Sequence, residues 1–289
     1  MGQDGRVKVL LFLLLAIPAL AQDLRVLTFN IRYNNPKDAV DAWPNRKEAV
    51  AKLIKEKADV AGLQEVKPDQ RAWLIENLPE FGFVGVGREI NDGDESVPVI
   101  YRKDRFEVVA SGTFWLSNKP EEPASTSWGN KLPRICTWAK LRDGKAGHDF
   151  WFYNVHLDHQ SDQARVRGLE LVGDRIRDRE SKDPVILVGD FNTNYGGAAI
   201  KALVARENLG LISTYDALGI PADGTFHGFG GVGQGGAIDY IFLSKDSGKV
   251  KSGSILKTTY ENKDGQQRFV SDHFPVEAVL SLKAGAGEK

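Results

Sequence analysis

The feature that most constrains the fold of this chain is an apolar run, Val185–Val188, that ends in Gly189-Asp190-Phe191-Asn192. A continuous apolar run of this length is typical of a strand that is buried on both faces. The same change from apolar segment to carboxylate, amide or imidazole recurs at Asn30, Gln64-Glu65, Asn154-Val155-His156, Asp239 and Ser271-Asp272-His273. We therefore expect these strand ends to form one polar site at the rim of a β-sheet core.

Strands and helices alternate along the chain. Helices are predicted, from apolar residues that recur on one face, at Arg46–Lys57, Asp69–Leu78, Gln163–Arg179 and Ala198–Arg206. Strands are predicted at Leu24–Phe29, Val60–Leu63, Val97–Tyr101, Phe106–Ala110, Thr113–Leu116, Arg134–Leu141, Phe150–His156, Val185–Val188, Ile238–Leu243 and Val276–Leu280. Asn45 and Glu48 resemble a capping box for the first helix.

Strands in every part of the chain end in polar residues, and no linker divides it. The sequence therefore predicts a single domain over residues 22–282. Its expected architecture is an α/β four-layer sandwich of two packed mixed β-sheets flanked by helices.

The first 21 residues have the pattern of a secretory signal peptide. Arg6 and Lys8 form a short basic region, Val9–Ile17 is apolar, and Ala19-Leu20-Ala21 gives a small-x-small cleavage pattern. The apolar run is too short to span a bilayer. We expect a cleaved segment and a secreted or periplasmic protein, with a buried N-terminal strand or helix as the alternative. The tail, residues 283–289, is predicted to be disordered.

Charge and cysteine content narrow the range of partners. The formal net charge is −1 and the pI about 6.5, whereas dedicated nucleic-acid binders carry a basic excess that neutralises phosphates. An enzyme that handles a few phosphates at a time stays compatible with these values. The single cysteine, Cys136, excludes an intrachain disulfide and favours a small buried hydrophobe.

Two of the strand ends offer oxygen ligands for a divalent cation. Glu65 follows Gln64 at the end of one predicted strand, and Asn30 ends the neighbouring one. Magnesium prefers carboxylate and water oxygens and commonly takes only one or two protein carboxylates. Glu65 and Asn30 are therefore candidates to hold Mg²⁺, and Mn²⁺ satisfies the same ligands.

The remaining strand ends carry groups suited to proton transfer and phosphate contact. Asp190 and Asn192 are two residues apart, which on an extended segment points both side chains the same way. Asp190 would then orient or deprotonate water, and Asn192 would donate to a phosphoryl oxygen. His273 is a candidate for charge stabilisation or proton transfer, with Asp239 fixing its tautomer. His156 is the candidate donor to a phosphate oxygen or the leaving group.

Four further polar residues have both a functional and a structural interpretation. Arg134 is interpreted as a residue that binds a second phosphate oxygen. The alternative is that it forms an ion pair on the strand surface. Asp158 either contacts substrate or caps the following turn, and His159 either supports the site or lies on the surface. His227, beside the glycine-rich stretch 228–236, is a candidate substrate contact, and its alternative role is to tether a mobile loop.

In their order along the chain, these motifs resemble the endonuclease/exonuclease/phosphatase superfamily, whose fold is that of pancreatic-type DNase. The motifs are Thr-Phe-Asn-Ile-Arg (28–32), Leu-Gln-Glu-Val (63–66), Asn-Val-His-Leu-Asp-His (154–159), Gly-Asp-Phe-Asn (189–192), Ile-Asp-Tyr-Ile-Phe (238–242) and Ser-Asp-His-Phe-Pro-Val (271–276). Trp-Pro-Asn-Arg-Lys (43–47) and Thr-Phe-His-Gly-Phe (225–229) make small exported bacterial members the closer likeness.

The resemblance implies a DNase I-like β-sandwich and a divalent metal held mainly by Glu65, with Asn30 and Asp272 nearby. The other residues that it implies for the site are Asp190 and Asn192 at the phosphate, an Asp239–His273 pair, and His156, which aligns with the histidine of the DNase, sphingomyelinase and deadenylase branches.

The sequence therefore predicts an exported, Mg²⁺-dependent phosphoesterase that hydrolyses a phosphodiester with activated water, and it favours a nuclease-type substrate. A phosphomonoesterase or a sphingomyelinase-like lipid phosphodiesterase is the alternative. A non-catalytic binding module on the same fold is a remote third possibility. We expect a monomer without stable membrane insertion, and the sequence implies no protein partner.

Overall fold

The computed structural model describes residues 22–283. The predicted signal peptide, residues 1–21, and residues 284–289 of the predicted tail lie outside the described residues. Lys283 begins that tail, and its backbone N–H donates to the carbonyl of Ser247 at 2.8 Å. This residue is therefore still tied to the fold.

Within residues 22–283 the strands form two six-stranded sheets and a two-stranded ribbon. They are β1 (Leu24–Asn30), β2 (Val60–Gln64), β3 (Phe81–Val84), β4 (Val99–Arg102), β5 (Phe106–Trp115), β6 (Ile135–Asp143), β7 (His148–His156), β8 (Val185–Asp190), β9 (Leu211–Ser213), β10 (Asp239–Ser244), β11 (Gly248–Ile255), β12 (Thr259–Glu261), β13 (Gln267–Phe269) and β14 (Val276–Leu282). The first sheet has the order β11-β14-β1-β2-β4-β3 and the second β5-β6-β7-β8-β10-β9. Each is mixed, because β1–β2 and β7–β8 are parallel and their other neighbours antiparallel.

The described part of the chain also contains α-helices and short 3₁₀ segments. The helices are α1 (Trp43–Lys57), α2 (Pro68–Asn77), α3 (Asp162–Arg177), α4 (Ala198–Val204) and α5 (Thr214–Leu218). The 3₁₀ segments are Pro36–Asp41, Ile90–Asp92 and Lys245–Ser247. Over residues 22–283, the helices are too short or too polar to cross a bilayer.

Alternate residues of β1 belong to two different cores. Val26 is fully buried in the cluster that also holds Val188 of the second sheet. Leu27 and Phe29 are fully buried in another cluster, together with Val50 and Ile54 of α1. A strand covered on both faces needs apolar residues at nearly every position, which explains the continuous apolar runs in the sequence. The predicted sandwich of two mixed sheets flanked by helices is confirmed.

Two local predictions are wrong. Helix α1 begins at Trp43, and Asn45 donates its side-chain amide to the carbonyl of Val40 (3.1 Å) rather than capping the helix. Proline is favoured in the first helical turn, and Pro44 occupies it, so the helix begins earlier than Arg46. The two segments predicted at 106–110 and 113–116 form one strand, β5, whose pairing with β6 shifts register between Val108 and Ala110.

The registers of the sheets bring the polar strand ends together. In the parallel pairs, Asn30 lies beside Gln64, and His156 lies beside Asp190. The antiparallel neighbour β10 begins with Asp239 opposite Asp190. A hydrogen bond of 3.0 Å from the Asn30 side chain to Asp190 Oδ2 joins the two sheets at this edge. The expected polar site at the rim of the sheet core is therefore present.

Candidate active site

A cavity of about 610 Å³ lies at the edge where β1, β2, β7 and β8 end. The sequence-predicted residues that line it are Glu65, Arg134, His156, His159, Asp190, Asn192, Asp272 and His273. Asn30 and Asp239 lie directly behind the lining, where they contact Asp190 and His273. The structure thus gathers ten of the twelve candidate residues at one cavity.

His273 is held between two carboxylates. Its Nδ1 lies 3.0 Å from Asp239 Oδ2, as the predicted pairing requires, and its Nε2 lies 3.8 Å from Asp190 Oδ2. Burial alone would lower the pKa of His273, but Asp239 and Asp190 favour the charged ring and raise the pKa to about 10. His273 is therefore an imidazolium at neutral pH.

His156, on the other side of Asp190, is in the opposite charge state. Its Nε2 lies 3.5 Å from Asp190 Oδ2, and Nη1 of Arg134 lies 3.3 Å from both ring nitrogens. Burial and the nearby guanidinium groups of Arg134 and Arg88 lower the pKa of His156 well below its ordinary value. The site therefore combines a neutral imidazole with a charged one.

Asp190 lies between these two rings. Its Oδ2 accepts a hydrogen bond from the Asn30 amide (3.0 Å), and its Oδ1 accepts one from the backbone N–H of Asn192 (2.9 Å). Burial, followed by the repulsion of Asp239, raises the pKa of Asp190 to about 7. A carboxylate with these partners is fixed in orientation and is suited to accept a proton from water.

Asn192 reaches the cavity by a different route from the one expected. Strand β8 ends at Asp190, and Asn192 has a left-handed backbone with φ 48°. The premise of an extended segment is therefore wrong, although both side chains line the cavity. The Asn192 amide donates to the carbonyl of Leu157 at 3.0 Å. This bond ties the turn after β8 to the end of β7.

Glu65 and Asp272 form the oxygen-rich part of the cavity. Glu65 accepts hydrogen bonds from the Asn30 amide and from the backbone N–H of Tyr33, both at 3.1 Å. Burial and the nearby Glu65 charge raise the pKa of Asp272, and the Arg32 guanidinium lies 3.6 Å away. Two neighbouring carboxylates fit the preference of Mg²⁺ or Mn²⁺ for oxygen ligands. Asn30 faces Glu65 with its NH2 group, and its Oδ1 accepts from the backbone N–H of Arg32 at 3.0 Å, so in this arrangement it orients Glu65.

Asp190, Asp239 and His273 form a second cluster, whose ligand atoms lie within 4.8 Å of one another. A histidine binds a metal through a neutral ring nitrogen. Here Nδ1 of His273 faces Asp239, Nε2 faces Asp190, and both carboxylates favour the protonated ring. The pair Glu65 and Asp272 is therefore the better candidate for the metal.

Asp158 supports Arg134 from behind the cavity. Its Oδ1 accepts hydrogen bonds from the backbone N–H groups of Gln160 and Ser161, and its Oδ2 lies 3.5 Å from Arg134 Nε. Another guanidinium nitrogen of Arg134 lies 2.7 Å from Nδ1 of His159, which lines the cavity. Asp158 thus caps the turn and orients Arg134, and direct substrate contact by Asp158 has no support from its position.

His227 lies outside the described cavity lining. Its ring stacks on Phe274 with centroids 4.0 Å apart and meets the Phe269 ring edge-on. Its backbone N–H donates to the carbonyl of Asp272 at 2.9 Å. These contacts anchor the segment that carries Asp272, and substrate contact by His227 stays a prediction.

Some lining residues were missed in the sequence, namely Arg32, Tyr33, Lys67, Arg88, Asp94, Glu95, Leu132, Phe226 and Ile238. Arg32 lies two residues beyond the strand-end Asn30, which is a signal that could have found it. Arg88 and Glu95 flank a turn rich in Asp and Gly, and such a sequence predicts only an ordinary surface loop. Phe226 meets His273 edge-on, with ring centroids 5.2 Å apart.

The sequence profile of the endonuclease/exonuclease/phosphatase family matches residues 27–273, and the chain belongs to this family. Solved structures of similar chains agree. An endonuclease/exonuclease/phosphatase family protein from Bacteroides thetaiotaomicron is 33% identical, with a TM-score of 0.83, and the match covers 90% of this chain and 97% of that one. A mannosyl-6-phosphatase from the same organism is 34% identical, with a TM-score of 0.82, and covers 89% and 99%.

A more distant relative is an uncharacterised protein, L388, of Acanthamoeba polyphaga mimivirus. It is 26% identical over 189 residues, which are 59% of this chain and 68% of that protein. The family consists of phosphoesterases that generally use a divalent metal, and this chain is a phosphoesterase of that superfamily. The remaining question is which phosphate ester it hydrolyses.

Proposed function

We propose that this phosphoesterase is a divalent-metal-dependent phosphatase that hydrolyses the phosphate monoester of a small, sugar-like compound. The observation that carries the proposal is the cavity of about 610 Å³, a volume typical of small-molecule sites. Similarity to a mannosyl-6-phosphatase over 89% of this chain supports the same substrate class. A nuclease-type phosphodiesterase, which the sequence favoured, is the second candidate because His156 lines the cavity.

Arg134 is the cation best placed to bind the phosphate. The other cationic side chains of the lining have close carboxylate partners: Arg32 pairs with Asp38 (3.0 Å), Lys67 with Asp94 (3.1 Å) and Arg88 with Glu95 (3.0 Å). Arg134 instead contacts His156 and His159, and its carboxylate neighbour, Asp158, lies 3.5 Å away. A guanidinium in this setting retains donors for phosphate oxygens.

Glu65 and Asp272, with Asn30 beside them, would hold the divalent cation. When bound there, the cation would neutralise charge that develops on the phosphoryl group. We assign the remaining steps of the reaction to the side chains that surround Asp190.

In the proposed reaction, the oxygen of a water molecule attacks phosphorus and Asp190 accepts one proton of that water. The ester P–O bond breaks with its electron pair going to the leaving oxygen, which takes up a proton from solvent. Asn30 orients Asp190 by donating to Oδ2. His273, kept charged by Asp239, stabilises negative charge on the phosphoryl oxygens. His156 lies on the opposite side of Asp190 and donates to a phosphoryl oxygen or to the leaving oxygen.

Hydrolysis of p-nitrophenyl phosphate, bis-p-nitrophenyl phosphate and mannose 6-phosphate by the purified chain tests the proposal. We expect both monoesters to be hydrolysed with Mg²⁺ or Mn²⁺, EDTA to abolish the reaction, and His156→Ala to lower kcat by about 10²- to 10⁴-fold. A higher kcat/KM for the diester than for either monoester would contradict the phosphatase proposal and favour the diesterase.

Export stays a separate proposal, supported by the signal-peptide pattern in residues 1–21. Expression of the full chain in a Gram-negative host, followed by N-terminal sequencing of the periplasmic protein, tests it. A mature N-terminus at Gln22 is expected. Retention of the intact chain in the cytoplasm would contradict export.

A further inference from the structure

One wall of the cavity consists of a chain of ion pairs, formed by Lys67, Arg88, Asp94 and Glu95 and called here the charged wall. Lys67 Nζ lies 3.1 Å from Asp94 Oδ1, and Arg88 donates to Asp94 Oδ2 at 2.8 Å. Arg88 also donates to both oxygens of Glu95, at 3.0 and 3.1 Å. Two cations and two anions thus alternate along the lining.

Arg88 and Glu95 are the least exposed members of the charged wall, and both are anchored. The Arg88 side chain is only 6% exposed and that of Glu95 13% exposed. The backbone carbonyl of Arg88 accepts a hydrogen bond from Trp115 Nε1 at 2.7 Å. The backbone N–H of Arg88 donates to the carbonyl of Glu95 at 2.9 Å. Polar groups fixed in this way lose little freedom when they bind a ligand.

The wall adjoins the groups assigned to the phosphate. Arg88 and Glu95 line a void of about 10 Å³ together with Arg134 and His156. A phosphate held by Arg134 therefore leaves the remainder of its molecule within reach of the wall.

The chemistry of the wall differs from that of a phosphate site. Its carboxylates repel a phosphate, whereas they accept hydrogen bonds from hydroxyl groups. Its ammonium and guanidinium groups donate to the oxygens of the same hydroxyls. Alternating donors and acceptors match neighbouring hydroxyl groups, each of which donates one hydrogen bond and accepts others.

We infer that the charged wall binds the neighbouring hydroxyl groups of the substrate's leaving group and selects polyhydroxylated phosphate esters, with Glu95 as a specificity-determining residue. This inference rests on the proposed phosphatase function. Phe226, also in the lining, offers an apolar surface to the same leaving group.

The first test compares kcat/KM of the wild-type chain and Glu95→Gln on glucose 6-phosphate, mannose 6-phosphate and p-nitrophenyl phosphate. Loss of a charge-assisted hydrogen bond should lower the value for the hexose phosphates by roughly 10- to 100-fold and change it little for p-nitrophenyl phosphate. Glu89→Gln is the matched control, since Glu89 lies on the same loop outside the described lining. An equal change on all three substrates, or no change, would overturn the inference.

Deoxy sugars sharpen this test. If Glu95 binds a hydroxyl, the wild-type chain should discriminate against the 2-deoxy, 3-deoxy or 4-deoxy hexose 6-phosphate that lacks it, and Glu95→Gln should lose that discrimination. Arg88 keeps Asp94 as a partner in the variant, and the thermal midpoint Tm reports whether the loop stays anchored. Full discrimination by the variant would count against a role for Glu95.

Binding measurements separate this inference from the proposed function. Isothermal titration in an Asp190→Asn background, with Mg²⁺ present, should show tighter binding of glucose 6-phosphate or mannose 6-phosphate than of inorganic phosphate, with the difference reduced when Glu95→Gln is added. This binding result, together with no hydrolysis of any phosphate ester by the wild-type chain, would overturn the phosphatase proposal and keep the wall inference. Equal affinity for the hexose phosphates and inorganic phosphate would overturn the wall inference even if p-nitrophenyl phosphate is hydrolysed.

Discussion

The end of the sandwich opposite the cavity also buries charged residues, and there each carboxylate has a guanidinium partner. Arg25 Nη2 lies 2.7 Å from Asp59 Oδ1, and Arg105 Nη1 lies 2.9 Å from Asp59 Oδ2. Arg105 also pairs with Asp143 at 2.7 Å. Such a network stabilises the fold because removing one member leaves a buried charge without its partner.

At the cavity end, carboxylates crowd together instead. Burial and Asp239 raise the pKa of Asp190, and burial and Glu65 raise that of Asp272. Repulsion between like charges therefore persists in the folded protein, where His273 and Arg32 offset part of it.

The backbone at the cavity end is also less relaxed. Arg32, Glu65 and Asn192 adopt left-handed conformations with φ 57°, 61° and 48°, which non-glycine residues rarely adopt. Comparison of the two ends shows that stability and chemistry are separated in space. The end that holds Arg25, Asp59, Arg105 and Asp143, called here the paired end, stabilises the fold. The cavity end, called here the crowded end, keeps the charges that the proposed function assigns to a cation and a phosphate.

The largest effect that separates the two ends is expected from Asp190→Asn. Loss of the group that accepts the proton of water should lower kcat by up to about 10⁴-fold. Tm should stay the same or rise, because the substitution removes a repulsive charge. Hydrolysis of p-nitrophenyl phosphate and thermal unfolding measure the two quantities. Activity within tenfold of wild type would remove Asp190 from its proposed role.

Arg105→Met should destabilise the paired end without changing the catalytic rate. Asp143 and Asp59 both lose a partner, so the free energy of unfolding should fall by about 3–5 kcal/mol. Denaturant unfolding measures this, and kcat of the folded fraction should be unchanged. Arg142→Met is the matched control, because the Arg142 side chain is 54% exposed and its pair with Asp149 should contribute little to stability. Equal losses in the two variants would contradict the comparison.

Divalent cations should stabilise the crowded end. At a free Mg²⁺ concentration 100 times its Kd, binding would stabilise the fold by about 2.7 kcal/mol. We expect a Mg²⁺-dependent rise in Tm that EDTA reverses and that Glu65→Gln abolishes. Glu76→Gln, at an exposed position of α2, is the control that should retain the shift. A Tm shift that survives Glu65→Gln would place the cation elsewhere.

The smallest effect is the acid sensitivity of the paired end. Burial opposes ionisation of Asp143, but hydrogen bonds from Arg105 and from backbone N–H groups hold its pKa below the usual value. Ionised Asp143 therefore stabilises the fold above its unfolded pKa of about 3.9, and this contribution is lost as the pH falls through the folded pKa. Asp143→Asn should flatten the decline of Tm below about pH 4. An unchanged slope would show that other carboxylates dominate acid unfolding.

The sequence predicted the cavity end well because the site follows from strand pairing. Once Val185–Val188 is identified as a buried strand, the polar residue that ends it must lie at the sheet edge. The registers that place His156 and Asp239 next to Asp190 then bring strand ends together without further information.

The features that could not be predicted from the sequence lie in turns and in polar segments. The left-handed turn at Asn192 and the loop that carries Arg88 and Glu95 lack an apolar period, so their geometry is set by tertiary contacts. Strand β11 (Gly248–Ile255) was missed for a similar reason. It is an edge strand with several exposed polar residues. Its composition does not predict a strand, and the segment is extended because it pairs with β14.

Nδ2 of Asn30 lies 3.4 Å from Nε2 of His273, although 243 positions separate the two residues along the chain. Asn30 ends the first strand, and His273 precedes the last strand, β14, which pairs with β1. A ribosome must therefore finish nearly the whole domain before the first and last parts of the site can meet. The growing chain consequently has no complete site during synthesis, and hydrolytic activity begins only once β14 has docked.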